Sequence, residues 1–341
     1  MSNHSETELY YIQKTMDLQA QMPEYIKQYI RSIKTRTSPR TRYEYLKDIQ
    51  QFLTYLSAKN NRSNITLSDL SNLKKTDFEE YLEYIEHYKI DQRNITNGRT
   101  SLKRKLSSLR NLFAYLFENE LIRSDEIRKI QMPKLHRKEI IRLDDTDAGY
   151  FLNAVENGTN LTKKQRDYYD IQSVRDRAII YLLLSTGLRV SECVELDLND
   201  IDMEKKCVHV VRKGGDEAIV YFSDEAADYL AEWLDSRKNN RKIPKEETAL
   251  FTSSQRKRLC VRSVENIVKK YAMRSIPLKH ITPHKLRATY ATNLYDATGD
   301  IYLVAETLGH KDVKTTKEHY ANMSDKHKEK NRNMVTFKTK T

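Results

Sequence analysis

Residues 281–320, ITPHKLRATYATNLYDATGDIYLVAETLGHKDVKTTKEHY, gather side chains able to grip an oxyanion and move protons. Thr282 is a suitable N-cap, and Pro283 suits the first position of a helix. A helix begun there sets His284 and Arg287 three residues apart on one face. Leu308 and Gly309 end a second helix, glycine being the common C-terminal stop, and His310 stands just past it. Tyr320 follows in a polar stretch, where a buried core tyrosine is not expected. A second arginine, Arg189, lies upstream in STGLRVSE. Guanidinium groups stay charged and fork onto two oxygens of a phosphate. Imidazoles exchange protons near neutral pH. A phenol, with an ordinary pKa of ~10, is a poor nucleophile unless assisted. Each residue taken alone has a plainer reading: Arg189 as an ion-pair partner of Glu192, Arg287 as an ordinary helix arginine, His284 as a cap or core histidine.

Such side chains need rigid elements beneath them. Residues 145–156 read as a helix, and 157–170 as a polar, exposed loop. Ser173 and Asp176 are expected to cap a strongly apolar core helix over 178–184. Thr186 and Gly187 then turn the chain and deliver Arg189. The runs CVHVVR and EAIVYF flank Lys213-Gly214-Gly215-Asp216 and read as a β-hairpin with Lys213 at its tip. A solvated turn lysine is the plain alternative there. Ser223 begins a helix containing Trp233, ALFTS is a candidate short strand, and 261–273 is helical.

In the first half, residues 1–21 are polar and expected to be partly ordered at most, and several helices follow. PEYIKQYIRSI reads as one helix, and Ser38-Pro39 opens another with Tyr45, Ile49, Phe52, Leu53 and Leu56 on one face. Thr76 and Glu79 suggest a capping box for a third, running to about residue 89. After the Asn97-Gly98 break, a fourth carries Leu102, Leu106, Leu109, Phe113 and Leu116 on its apolar face. Its other positions include Arg99, Lys103, Arg104, Lys105 and Arg110. That basic face can pair with phosphates along a groove, or be merely solvated.

Composition narrows the partners. The chain has 341 residues, a formal net charge of +12, 22 tyrosines and a single tryptophan. A basic excess of this size favours a polyanion. The sequence contains no apolar run of about 18 residues, so no membrane span is expected. The start, MSNHSETELYYIQK, lacks the basic flank and apolar centre of a signal peptide. Cys193, Cys207 and Cys260 show no metal-binding spacing and fit a reduced, intracellular compartment.

The chain resembles the tyrosine recombinases, the phage-integrase family. The resemblance rests on TGLRVSE, RKGGD, TPHKLRATYAT, LGH and Tyr320, five motifs in the family's order. It is close over 173–324 and looser upstream. It implies a mainly α, two-domain DNA clamp: a flexible segment 1–21, a helical core-DNA-binding domain 22–131, a linker 132–142, a mostly helical catalytic domain 143–324 with a small antiparallel sheet, and a tail 325–341. It implies strand transfer through a 3′-phosphotyrosyl intermediate and a Holliday junction, with Tyr320 as nucleophile. Arg189 and Arg287 would clamp the scissile phosphate, His284 would handle the tyrosine proton, and His310 would donate to a non-bridging oxygen. Lys213 would protonate the departing 5′-oxygen, and Glu192 would buttress the arginines. Arg99, Lys103, Arg104 and Arg110 are the DNA-binding candidates of the first half.

The resemblance further implies no metal or other cofactor, a homotetramer on double-stranded DNA, and a cytoplasmic, nucleoid-associated protein. RKGGD, TPHKLR and LYDAT resemble Xer-type recombinases acting without a second recombinase, for which a septal DNA translocase is the expected partner. An integrase or transposase of a mobile element is the alternative within the family. Outside it stand a type IB topoisomerase-like enzyme and a non-catalytic DNA-binding protein. Two departures are visible. Ala288 replaces a histidine frequent after the second arginine, and the His310–Tyr320 interval is one residue longer than in compact members. Met334, Val335 and Phe337 form a small apolar patch in the tail, suited to docking on a neighbouring protomer.

Overall fold

The computed structural model describes residues 3–90, 93–133, 142–212 and 215–309. The chain divides into two compact units, Met1–Lys138 and Glu139–Thr341, each with its own apolar core. Both are mainly helical, and the sheets are small and antiparallel.

The first unit runs α1 (Asn3–Ala20), α2 (Glu24–Ser32), α3 (Pro39–Asn60), α4 (Leu67–Ser71), α5 (Lys75–Glu86), the hairpin β1 (His87–Ile90) and β2 (Arg93–Thr96), and α6 (Arg99–Glu118). Ser38 starts α3 as expected: its hydroxyl accepts the Thr41 amide at 3.2 Å while Pro39 occupies the first turn. Asn61, in the left-handed region at φ 51°, stops it. The apolar stripe of α3 (Leu46, Ile49, Phe52, Leu53, Leu56) packs with that of α6 (Leu102, Leu106, Leu109, Phe113, Leu116). Phe52 lies at the centre, stacked on Phe78 at 5.8 Å and edge-on to Tyr81 at 4.8 Å. Such aromatic pairs add modestly to the area they bury.

Three expectations for this unit need correction. The N-terminal segment, expected to be flexible over 1–21, is helical over 3–20, because α1 packs on α3. Thr15 is buried, Leu18 rests on the core, and Tyr11 sits 5.7 Å from the Tyr43 ring beneath the Arg40 guanidinium. Tertiary packing, which a polar sequence conceals, supplies the helix. Helix α5 starts before the expected Thr76–Glu79 box: Asp77 accepts the Lys74 amide at 2.9 Å and is itself pinned by Lys59 at 2.8 Å. It also ends at Glu86, where the hairpin takes over. Asn97 closes that hairpin's base, donating from its amide nitrogen to Glu86 O and from its side chain to Ile85 O.

The second unit comprises α7 (Asp145–Asn157), α8 (Lys163–Thr186), α9 (Val190–Glu195), the sheet β3 (Ile201–Asp202), β4 (Cys207–Val211) and β5 (Glu217–Tyr221), then α10 (Asp224–Asn239), α11 (Val261–Ser275), α12 (Pro283–Thr298) and α13 (Ile301–Leu308). Helix α8 is the axis of the core. Ala178, Ile179, Ile180, Leu182 and Leu183 are all fully buried, as a helix apolar on every side requires. It is also much longer than expected. The polar residues 163–170 are its first turns, started by Thr162 and Gln165 in a reciprocal cap.

Asp176 is therefore no cap. It is fully buried within α8 and accepts from Arg175 at 2.7 Å, Lys270 at 2.8 Å and the Tyr271 hydroxyl at 3.1 Å. These bonds offset the cost of removing its charge from water. The run ALFTS forms isolated bridges, Asp197 with Ala249 and Thr252 with Arg258, rather than a strand. The hairpin β4–β5 forms where expected, pairing His209 with Ile219 and Val211 with Glu217.

Candidate active site

The site is assembled by the end of α8 and the starts and ends of three short elements. Gly187 terminates α8 at φ 61°, its amide donating to Leu183 O at 3.0 Å. A Cβ at this position would overlap the Tyr290 ring of α12 and lie 3.1 Å from Leu308 Cδ2 of α13. Glycine thus serves both the left-handed turn and the close approach of three chain segments. Two residues on, Arg189 is the N-cap of α9. Glu192 secures it twice, accepting its amide at 2.7 Å and its Nη1 at 2.7 Å.

Glu192 is buried, and its second oxygen lies 3.9 Å from Nη1 of Arg287. Arg287, also buried, projects from the first turns of α12 and donates to Gly187 O at 2.6 Å and to Leu308 O. His284 is exposed on the opening turn of the same helix. The structure therefore brings Arg189, Glu192 and Arg287 together and sets His284 one turn from Arg287. Lys213, His310 and Tyr320 lie outside the described residues.

A further arginine belongs to this place. Arg212 directly follows the strand β4 and reaches across to α13, its Nη1 donating to Glu306 O and its Nη2 to Thr307 O, each at 2.8 Å. Arg189 Nη2 donates to Gly309 O at 3.3 Å. The last four carbonyls of the α13 terminus, residues 306–309, thus receive guanidinium donors from three separate elements. A helix C-terminus carries partial negative charge on its unsatisfied carbonyls, which favours cations there. Burial lowers the Arg212 pKa from its ordinary value, and Glu192 opposes that shift. Asp216 and Glu306 act on Arg212 from exposed positions. The guanidinium stays charged, as arginine does in proteins.

Sequence reasoning quoted the motif containing Arg212 but gave that residue no part. Its available signal was position, just after a hairpin strand and beside Lys213. It also missed Arg258, which collects the carbonyls of Val194, Glu195 and Leu196 at 2.8–3.1 Å and pairs with Asp197. Arg258 thereby closes the C-terminus of α9, the six-residue helix that holds Glu192.

The basic residues of α6 do not present alike. Arg104 forms a two-pronged pair with the buried Asp48, one bond measuring 2.9 Å. Lys105 is buried and donates to Asp48 at 3.3 Å and to Gln51. Arg110 donates to the carbonyls of Ile130 and Arg128. Arg99 and Lys103 are exposed.

Residues 154–327 match the phage integrase family, and 26–120 match the phage integrase N-terminal SAM-like domain. The chain belongs to the phage integrase family. The tyrosine recombinase XerS of Streptococcus agalactiae serotype III (strain NEM316) is 34% identical over 334 residues, covering 89% of this chain and 93% of the relative. XerS of Streptococcus pneumoniae (strain P1031) is 34% identical over 328 residues, with 86% and 90% covered. This chain is thus a tyrosine recombinase of the Xer type, an enzyme of site-specific DNA recombination.

Solved structures share its fold. The Tn1549 transposon integrase in complex with transposon right end DNA superposes with a TM-score of 0.66 at 16% identity, over 91% of this chain and 99% of that one. XerH bound to difH substrate in a pre-cleavage complex gives 0.58 at 22% identity, over 87% and 79%. Among the described residues, no helix is long and apolar enough to cross a membrane.

Proposed function

We propose that this chain cuts and rejoins DNA at a specific site with Tyr320 as nucleophile and the arginine cluster as its phosphate clamp. The observation that supports this best is the convergence of Arg189 and Arg287 on Glu192 and the α13 terminus. Two guanidinia fixed this way can fork onto the non-bridging oxygens of one phosphate and offset the charge that develops as the phosphorane forms. The Tyr320 oxygen attacks phosphorus, and His284 takes the phenolic proton. The P–O5′ bond breaks, and the departing 5′-oxygen takes a proton from Lys213. The phosphodiester is conserved as a 3′-phosphotyrosyl bond. A 5′-hydroxyl from a partner strand then reverses the same steps, returning the proton to tyrosine, so no external energy source is consumed. His310 donates a hydrogen bond to a non-bridging oxygen.

The catalytic unit in this reading spans 143–324, preceded by a core-DNA-binding domain over 22–131 and a linker over 132–142. In the first unit, Arg99 and Lys103 contact phosphates, while Arg104 and Arg110 mainly hold the fold. The enzyme works as a homotetramer through a Holliday junction, in the cytoplasm on the nucleoid. The XerS relatives favour chromosome-dimer resolution with a septal DNA translocase as partner. The longer His310–Tyr320 interval favours a mobile-element role instead.

The test is a nicked suicide substrate bearing the candidate core site, incubated with wild type and Tyr320→Phe. A covalent protein–DNA adduct in wild type alone is expected. An adduct that survives in Tyr320→Phe assigns the nucleophile to another tyrosine. Tight DNA binding without any adduct, on a site proven to recombine in cells, rejects the catalytic reading.

A further inference from the structure

We propose that Arg212 is a positioning residue, a latch that ties the hairpin carrying Lys213 to the C-terminal turn of α13 and so holds the leaving-group acid in place. The inference rests on the assignment of Lys213 made above. Arg212 is fixed at both ends. Its amide donates to Asp216 O at 2.7 Å and its carbonyl accepts from the Gly215 amide at 3.0 Å, which closes the base of the turn. Its guanidinium spans two consecutive carbonyls of α13 at 2.8 Å each. The next residue along the chain from the latch on one side is Lys213; from its far side, past Gly309, it is His310. One side chain thus ties the residue before Lys213 to the helix turn that precedes His310.

The receiving surface is shaped for this guanidinium. Gly309 caps α13 at φ 62°, and a Cβ there would overlap the Arg212 guanidinium. Carbonyls, being neutral, hold the fork without cancelling its charge. Lysine could not replace it, since an ammonium is a point donor and lacks the planar two-pronged reach. Without the latch, the hairpin would keep its strand pairing but lose the two guanidinium bonds that tie it to the α13 terminus. The loss should fall on protonation of the departing 5′-oxygen rather than on phosphate binding.

The experiment compares two suicide substrates that differ at one atom, the bridging 5′-oxygen of the scissile phosphate, replaced in one by sulfur. A thiolate leaves without protonation, because thiol pKa values lie near 8.5. Full-length wild type, Arg212→Ala, Arg212→Lys, Gly309→Ala and Lys213→Ala are assayed for single-turnover cleavage of each. On the oxygen substrate, Arg212→Ala is expected to be ~10²-fold slower, the lower end of what general acid catalysis supplies. On the sulfur substrate its rate should return to near wild type, as should that of Lys213→Ala. Arg212→Lys should show the same pattern, and Gly309→Ala a weaker form of it. Variants at 212 and 309 that are equally slow on both substrates overturn the latch, as does an Arg212→Ala enzyme with wild-type rates on both. If sulfur fails to rescue Lys213→Ala, the assignment of Lys213 falls and takes the latch with it. Cleavage by wild type in that case leaves the nucleophilic reading intact.

Discussion

Helix α6 and the arginine cluster around α13 use the same side-chain chemistry to different ends. On α6, Arg104 and Lys105 are answered by a carboxylate: Asp48 accepts from both, and the Ser108 hydroxyl completes its shell at 2.7 Å. Asp48 takes both prongs of the Arg104 fork, so an outside anion would have to displace it. Around α13, Arg212 and Arg287 are fixed largely by main-chain carbonyls, while Arg189 divides its guanidinium between the Glu192 carboxylate at 2.7 Å and Gly309 O at 3.3 Å. Carbonyl dipoles orient a guanidinium while leaving its unit charge in place. The buried carboxylate at that junction, Glu192, sits against Arg189 and Arg287 and fixes their spacing. The lesson is that the partner, rather than the cation, decides whether a basic residue builds the fold or faces a phosphate.

The largest expected effect that would break this comparison is kinetic. Arg287→Ala should slow covalent adduct formation by about 10³-fold, the upper range for deleting one preorganised donor to a transition-state oxyanion. Arg104→Ala should leave the single-turnover rate on saturating DNA nearly unchanged. If both variants lose comparable rate, the two regions are not functionally distinct. The next effect is thermodynamic and runs the other way. Asp48→Ala strands the buried Lys105 charge and should lower unfolding stability in urea by about 3–5 kcal/mol. Glu192→Gln keeps an acceptor for the Arg189 amide and leaves the carbonyl bonds in place. Its cost should stay near 1–2 kcal/mol, while adduct formation falls by more than that stability loss would suggest. A larger stability loss for Glu192→Gln than for Asp48→Ala would reverse the assignment of roles.

Much of the arrangement was readable in the sequence because it rests on local rules. Ser38-Pro39, Thr282-Pro283, Gly187 and Gly309 punctuate helices through backbone geometry, and the spacing of Leu102, Leu106, Leu109, Phe113 and Leu116 needs no tertiary information. The Arg189, Glu192 and Arg287 group was legible through its motifs. The features that escaped notice depend on distant partners. The 163–170 segment reads as loop because its residues are polar, yet it continues a helix whose later turns are buried. Residues 3–20 acquire their helix from α3. Asp176 looks like a cap until Lys270 and Tyr271, some ninety-five residues on, are placed against it. Arg212 and Arg104 are both basic residues beside other basic residues. Only folding shows that one meets carbonyls and the other a carboxylate.

The smallest expected effect separates the cations within α6 itself, and it requires no catalysis. Each phosphate contact releases counterions, so the logarithm of DNA affinity falls with the logarithm of salt in proportion to the contacts made. Lys103 is exposed, and none of the described residues is paired with it. Lys103→Ala should reduce the salt slope by about 1 and weaken binding similarly on specific and unrelated duplexes. Arg104 is already engaged by Asp48, and a phosphate would have to compete with that carboxylate for its two-pronged face. Arg104→Ala should therefore change the slope by well under 1. Fluorescence anisotropy across a salt series on the full-length protein resolves the difference. Equal slope changes would mean that the Asp48 pair opens on DNA and that Arg104 exchanges one anion for another. In that event α6 would behave like the α13 cluster after all, with Asp48 holding the charge in reserve rather than spending it on the fold.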